Sequence, residues 1–171
     1  MENKISPPKY ILKVYENTGL AAALKRLSRL SVVWTAVVFG LCFLGLLLKS
    51  TMHGCTFLIL SGVPFLTVTL VRRLVDVPRP YDVYEMPKGF CTCGKKAGRS
   101  FPSRHVFSAF VIGTLALAIS LPLGIITLAL GCALAFCRVL LGIHFVRDVV
   151  YGALIGVFSG VLGIIIVNYC L

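Results

Sequence analysis

Acidic residues are scarce in this chain. Six Asp and Glu stand against 17 Lys and Arg, giving a formal net charge of +11. Paired cysteine clusters are missing as well. The seven Cys are Cys42, Cys55, Cys91, Cys93, Cys132, Cys137 and Cys170, and only Cys91 and Cys93 form a C-x-C. A structural zinc site needs about four ligands, usually from two such pairs. The cysteines therefore read as small hydrophobes filling apolar surroundings, with no metal and no cofactor expected. No internal repeat, low-complexity tract or nucleic-acid motif is present, so nucleic acid is set aside as a partner. A cleavable signal peptide is not expected either, because the first long apolar block starts near Ser31, too far in for that layout.

Apolar residues, by contrast, are in excess. They make up 58% of the 171 positions, where a soluble domain has about 45–50%, and they gather in blocks. The blocks predict an all-α polytopic transmembrane helix bundle. Five spans are expected, roughly Ser31–Leu48, Gly54–Val71, Val106–Leu121, Ile125–Phe136 (continuing through Arg138 toward Leu141) and Val149–Val167. Pro122 and Gly124 mark a turn between the third and fourth. Ahead of them, residues 1–30 are basic. From Tyr10 to Leu30, apolar residues recur at the spacing of an amphipathic surface helix, interrupted at Asn17, Thr18 and Gly19. Gly113, Gly131, Gly152 and Gly156 suit close helix packing.

One long polar stretch, residues 72–104, holds eight of the 17 Lys and Arg. Span two delivers Arg72 to one membrane face. The stretch ends at His105, where span three begins, and the next hairpin returns Arg138 to Asp148 to the same face. Arg72, Arg79, Ser103, Arg104, His105, Arg138, His144 and Asp148 thus meet at one end of the bundle. Arginine forks match phosphate oxygens. A helix starting after Ser103 aims free N–H groups at an anion. Two histidines suit covalent phosphoryl transfer, one as nucleophile and one as general acid. Asp148, four residues after His144, is placed to orient the imidazole. Arg73, Lys88, Lys95, Lys96, Arg99 and Arg147 read instead as anchoring or solvated charges. Asp76, Asp82 and Glu85 read as local charge balance, and Tyr81, Tyr84 and Phe90 as interfacial aromatics.

The polar motifs read R-R-L-V-D-V-P-R-P from Arg72, P-S-R-H from Pro102 and C-R-V-L-L-G-I-H-F-V-R-D from Cys137. In order and spacing they resemble the K-x6-R-P, P-S-G-H and S-R-x5-H-x3-D signatures of the type-2 phosphatidic acid phosphatase (PAP2) superfamily. The resemblance implies a metal-independent phosphatase domain over residues 31–171, preceded by the amphipathic segment 1–30, in the cell membrane. It implies a lipid substrate, His144 as the nucleophile forming a phosphohistidine, Asp148 as its partner and His105 as the acid. Arg72, Arg79, Ser103 and Arg138 would form the phosphate cradle. The sequence departs from the pattern at Arg72 for Lys, Arg104 for Gly and Cys137 for Ser, and Arg104 is placed to grip a second phosphate or a headgroup. Many members have six spans. The favoured substrate is an isoprenoid diphosphate such as undecaprenyl diphosphate, with phosphatidylglycerophosphate, phosphatidic acid and lipid A phosphate as alternatives. A membrane protein that only binds anionic lipid would also explain the basic loop, but not the histidine and aspartate spacings. The basic N-tail points to a cytoplasmic position, which would place the loop there too, whereas the family's usual site is extracytoplasmic.

Overall fold

The computed structural model describes residues 4–90 and 97–170, with side chains through Val167. Cys91, Cys93, Lys95 and Lys96 lie outside the described residues, as does the side chain of Cys170. The elements are α1 (Lys9–Glu16), α2 (Thr18–Lys49), α3 (Thr51–Val75), α4 (Pro80–Val83), α5 (Arg104–Leu117), α6 (Leu121–Leu140) and α7 (Val146–Cys170).

Four of these, α2, α3, α6 and α7, are long and apolar enough to cross a membrane. The expected third span is α5, an apolar helix of 14 residues. At 1.5 Å per residue it is about 21 Å long, short of the ~30 Å hydrocarbon core. Its place in the fold explains how it tolerates that length: nine of its 14 residues are buried, so it faces protein more than lipid. The expected break near residue 18 falls at Asn17 alone. Asn17 ends α1 and caps α2, its Oδ1 accepting the Leu20 N–H at 3.0 Å. Thr18 and Gly19 lie inside α2, which runs unbroken through positions 30 and 31. Ser28, Ser31 and Thr35 are buried on that helix, and the Ser31 and Thr35 hydroxyls are satisfied by the carbonyls one turn back, Leu27 O and Ser31 O. The α5–α6 turn lies earlier than expected. Pro122 sits in the first turn of α6, where its missing N–H costs nothing.

Two packing modes surround α5. Toward α7 the contact is backbone to backbone. Gly152, Gly156 and Gly160 recur every four residues, and a Cβ there would fall 2.8 Å from Ser103 O, 2.7 Å from Phe107 O and 2.5 Å from Thr114 Cβ. Small residues let helices approach this closely. Toward α2 and α3 the contact is made by side chains, with Val38, Cys42, Phe57, Val68, Phe107, Val111 and Leu115 in one buried cluster. Trp34 Nε1 ties α2 to α6 by donating to Thr127 Oγ1 at 3.0 Å.

At the end where α5 and α7 begin, α1 closes the bundle. Ile11, Val14 and Tyr15 pack on Cys137 and Leu141 of the α6 end, with Met86 and Phe90 alongside. The Tyr15 hydroxyl donates to Leu141 O at 3.3 Å, and burial pushes its pKa up to about 12. Ile5 bridges Tyr84, and Lys4 Nζ donates to Tyr81 O at 3.2 Å. The N-terminal segment and the polar loop therefore share one face of the molecule. Tyr81 is buried under this cover, with Phe90 packed on it, rather than resting at a lipid interface.

Candidate active site

Each functional side chain is placed by a local rule. Leu141 caps α6, and Gly142 follows in the left-handed region at φ 64°. Gly142 N–H donates to Val139 O at 2.9 Å and Ile143 N–H to Arg138 O at 3.0 Å, a Schellman ending. His144 N–H donates to the same Arg138 carbonyl at 3.2 Å. The backbone of Arg138 thus anchors His144, which is why six positions separate them. A Cβ at Gly142 would lie 2.7 Å from Met86 Cε, which would have to shift, and in strained φ, so glycine is favoured there.

Asp148 stands in the first turn of α7, and its Oδ2 accepts the Phe145 N–H at 3.0 Å, as an acidic residue at a helix start does. Its backbone carbonyl accepts the Ser103 N–H at 2.9 Å. The glycine seam makes this last bond possible by bringing the starts of α5 and α7 together. Two helix N-termini, with their positive ends, therefore open on one spot.

His144 and Asp148 are buried, with Nδ1 3.6 Å from Oδ2. Ser100 Oγ stands between them, donating to Asp148 Oδ2 at 2.5 Å and lying 3.3 Å from His144 Nδ1. Burial lowers the His144 pKa to about 4 from its ordinary 6.5. Asp148 pulls the other way, and the charges of Arg79 and Arg138 add to the lowering.

The arginines divide into two kinds. Arg72 is buried, and its Nη1 donates to the carbonyls of Ser100 (3.1 Å) and Pro102. It therefore fixes the loop that carries Ser103 as well as bringing charge. Arg79 Nε donates to Gly98 O at 3.0 Å, and its guanidinium lies over the Tyr81 ring. Arg138 Nε and Ser103 Oγ, by contrast, are buried with no hydrogen-bond partner among the described residues. Arg79 and Arg104 lie within electrostatic reach of Arg72, Arg79 within reach of Arg138, and His144, Arg138, Arg104 and Arg72 within reach of His105. All eight residues expected from the sequence are thus brought together.

His105, unlike the buried His144, is exposed. It borders a cleft of about 350 Å³ between α2, α3 and α5, lined by Ala36, Phe39, Leu58, Gly62 and Phe65 among others. Among the remaining charges, Arg147 is 60% exposed but is more than a solvated residue, since its Nε lies 3.6 Å from Asp148 Oδ1 and its guanidinium over the Phe145 ring. Arg99 meets Asp76 at the surface, through its side chain and through its backbone N–H at 3.1 Å.

Two residues escaped the sequence reading. Ser100 is fully buried at the heart of the site. Asp82 does more than balance charge, since its Oδ2 accepts both Arg79 N–H and Gly98 N–H at 2.9 Å and staples the loop. Neither carries a periodicity. The only signal for Ser100 was a small polar residue three positions ahead of Ser103 in S-F-P-S-R-H.

Together, the apolar helices and this end-on cluster define an integral membrane protein with a basic, histidine-bearing cluster at one end of its bundle. The chain belongs to the PAP2 superfamily, whose family model matches residues 50–171. No curated protein matches its sequence. Its fold is similar to that of LpxE from Aquifex aeolicus (TM-score 0.67, 22% identity, covering 86% of this chain and 87% of that one). It is also similar to the first transmembrane PAP2 type phosphatidylglycerolphosphate phosphatase from Bacillus subtilis (TM-score 0.62, 18% identity, covering 95% and 92%). At these identities the likeness speaks to the fold.

Proposed function

We propose that this chain is a metal-independent phosphatase of the cell membrane. It hydrolyses a phosphate or diphosphate monoester of a lipid through a phosphohistidine on His144, with an isoprenoid diphosphate such as undecaprenyl diphosphate as favoured substrate. The observation that carries the reading is the pair of buried, unpartnered donors, Ser103 Oγ and Arg138 Nε, beside a buried His144–Asp148 pair. Buried donors without partners cost about 1–3 kcal/mol each. A phosphate lodged there satisfies both.

In this mechanism Nδ1 of His144 faces Ser100 and Asp148, which leaves Nε2 to attack. Its lone pair forms the N–P bond while the bond from phosphorus to the leaving oxygen breaks, and His105 gives that oxygen a proton. Desolvation and the charge of Arg138 lower the His105 pKa to about 3, and the negative charge of a bound phosphate opposes that lowering. Water then attacks phosphorus, the N–P bond breaks, and the water's proton returns to His105. Arg72, Arg79 and Arg138 offset the charge spread over the phosphoryl oxygens. The apolar cleft that ends at His105 suits the hydrocarbon chain of the leaving group. At about 350 Å³ it stands near the small end of ligand clefts, which favours one chain over two. Arg104, close to Arg72 and His105, suits a second phosphate. Both features favour a diphosphate on a single chain over phosphatidic acid, phosphatidylglycerophosphate or lipid A phosphate.

The test is phosphate release by detergent-purified protein, with excess EDTA, from undecaprenyl diphosphate, phosphatidylglycerophosphate, phosphatidic acid and lipid A phosphate. The expected result is EDTA-resistant release, fastest from the isoprenoid diphosphate. No release from any of them by folded protein would contradict the enzyme reading and favour a protein that only binds anionic lipid. Faster release from a glycerolipid would replace the substrate.

A further inference from the structure

The hydrogen-bond inventory around Ser100 has a consequence for His144. A serine hydroxyl has one proton to give and two lone pairs to receive with. Ser100 donates its proton to Asp148 Oδ2 at 2.5 Å. Toward His144 Nδ1, 3.3 Å away, the same oxygen can then only accept. That contact is shorter than the 3.6 Å from Nδ1 to Asp148 Oδ2, which is too long for a good hydrogen bond. Oδ2 also receives the Phe145 N–H at 3.0 Å, so the carboxylate oxygen is already occupied by donors.

We infer that Ser100 is a positioning residue that joins His144 to Asp148 and holds the imidazole as the Nδ1–H tautomer, leaving the Nε2 lone pair free. The chain of bonds runs from His144 Nδ1–H to Ser100 Oγ and from Ser100 O–H to Asp148 Oδ2. No proton crosses it; its work is orientation. The backbone holds Ser100 at this place from both sides. Its N–H donates to Val77 O at 2.8 Å, and its carbonyl receives Arg72 Nη1 at 3.1 Å. One residue thus links the segment after α3 to the α6–α7 turn, and its side chain is fully buried.

The inference rests on the phosphatase reading for its kinetic arm only. The direct test is nitrogen NMR of histidine-labelled protein in micelles, below and above neutral pH, for wild type and for Ser100→Ala, Ser100→Cys and Ser100→Thr. Wild-type His144 is expected as the Nδ1–H tautomer. Ser100→Ala and Ser100→Cys are expected to move its population toward Nε2–H and to lower kcat about 10–100-fold, the usual effect of removing an outer partner of a working imidazole, with KM within about twofold. Ser100→Thr, which keeps the hydroxyl, restores both. An Nε2–H tautomer in wild type would overturn the inference without recourse to any variant. So would a tautomer unchanged in folded Ser100→Ala or Ser100→Cys, whatever their activity, because a role in packing alone leaves the tautomer where it was. A tautomer that moves in a protein releasing no phosphate would sustain the role of Ser100 while sinking the phosphatase reading.

Discussion

The two sides of α5 are built on opposite choices. Against α7, glycines remove side chains until the helix backbones touch, and at Gly156 a Cβ would sit 2.7 Å from Phe107 O. Against α2 and α3, a glycine leaves space instead: around Gly62 nothing lies within 4 Å of a Cβ. The closed side ends in the buried His144–Asp148 pair, and the open side ends at exposed His105. The difference teaches how a short chain can serve a lipid substrate. In the proposed reaction, the closely packed flank of a single central helix sets the geometry, and the open flank admits the apolar part of the substrate from the bilayer.

This contrast can be broken at several points. The largest effect belongs to the tip of the closed side. His144→Ala is expected to lower kcat by roughly 10³-fold or more, as loss of a covalent nucleophile does, with the protein still folded by circular dichroism. Next comes the seam. Gly156→Val places branched carbons against the backbone of α5 and is expected to destabilise by about 1–3 kcal/mol, read as a lower Tm in detergent. If Tm holds, the backbone contact is not what aligns the two helix starts.

The buried histidine also sets a pH dependence. Its pKa in the folded protein is about 4, against about 6.5 for an exposed histidine. Between these values the unfolded chain binds a proton that the folded one does not. Stability is therefore full above about pH 6.5 and falls as pH drops toward 4, by on the order of 1–3 kcal/mol. Melts across that window should show the decline, and His144→Gln should lessen it, the remainder belonging to His105, whose pKa desolvation lowers to about 3. An unchanged decline in the variant would place the titrating group elsewhere.

On the open side, Gly62→Leu fills the cleft without meeting neighbouring atoms at its Cβ. It is expected to cut hydrolysis of a long-chain lipid phosphate about tenfold while leaving a short, water-soluble phosphate ester untouched. Equal loss on both would mean that the cleft does not carry the chain. The smallest effect lies away from both sides. Arg99→Ala removes a surface pair with Asp76 at 3.9 Å and should change stability by under about 0.5 kcal/mol.

Much of this was legible in the sequence because it is written in composition and spacing. Long apolar blocks announce helices. The interval from Arg138 to His144 is that of a Schellman ending with one further N–H on the same carbonyl. The interval from His144 to Asp148 sets the histidine in the turn just before α7, where Asp148 caps the Phe145 N–H, rather than on one helical face with it. What was not legible came from tertiary contact. The shortness of α5 is tolerated only because protein surrounds it. Helix α2 runs across residues 30 and 31 with Ser31 and Thr35 buried, their hydroxyls satisfied by their own helix. Tyr81 leaves the interface because the N-terminal segment covers it. Ser100 and Asp82 act through single hydrogen bonds made across the loop, which no local pattern reports.

The central claim is that phosphate passes through His144. The most direct measurement is to mix the protein with a labelled lipid diphosphate, quench within milliseconds in alkali, and map the label by mass spectrometry. The account predicts an alkali-stable, acid-labile phosphate on His144 that decays as free phosphate appears and is missing in His144→Ala. Label on another residue, or turnover with His144 never labelled while His144→Ala stays active, would contradict it.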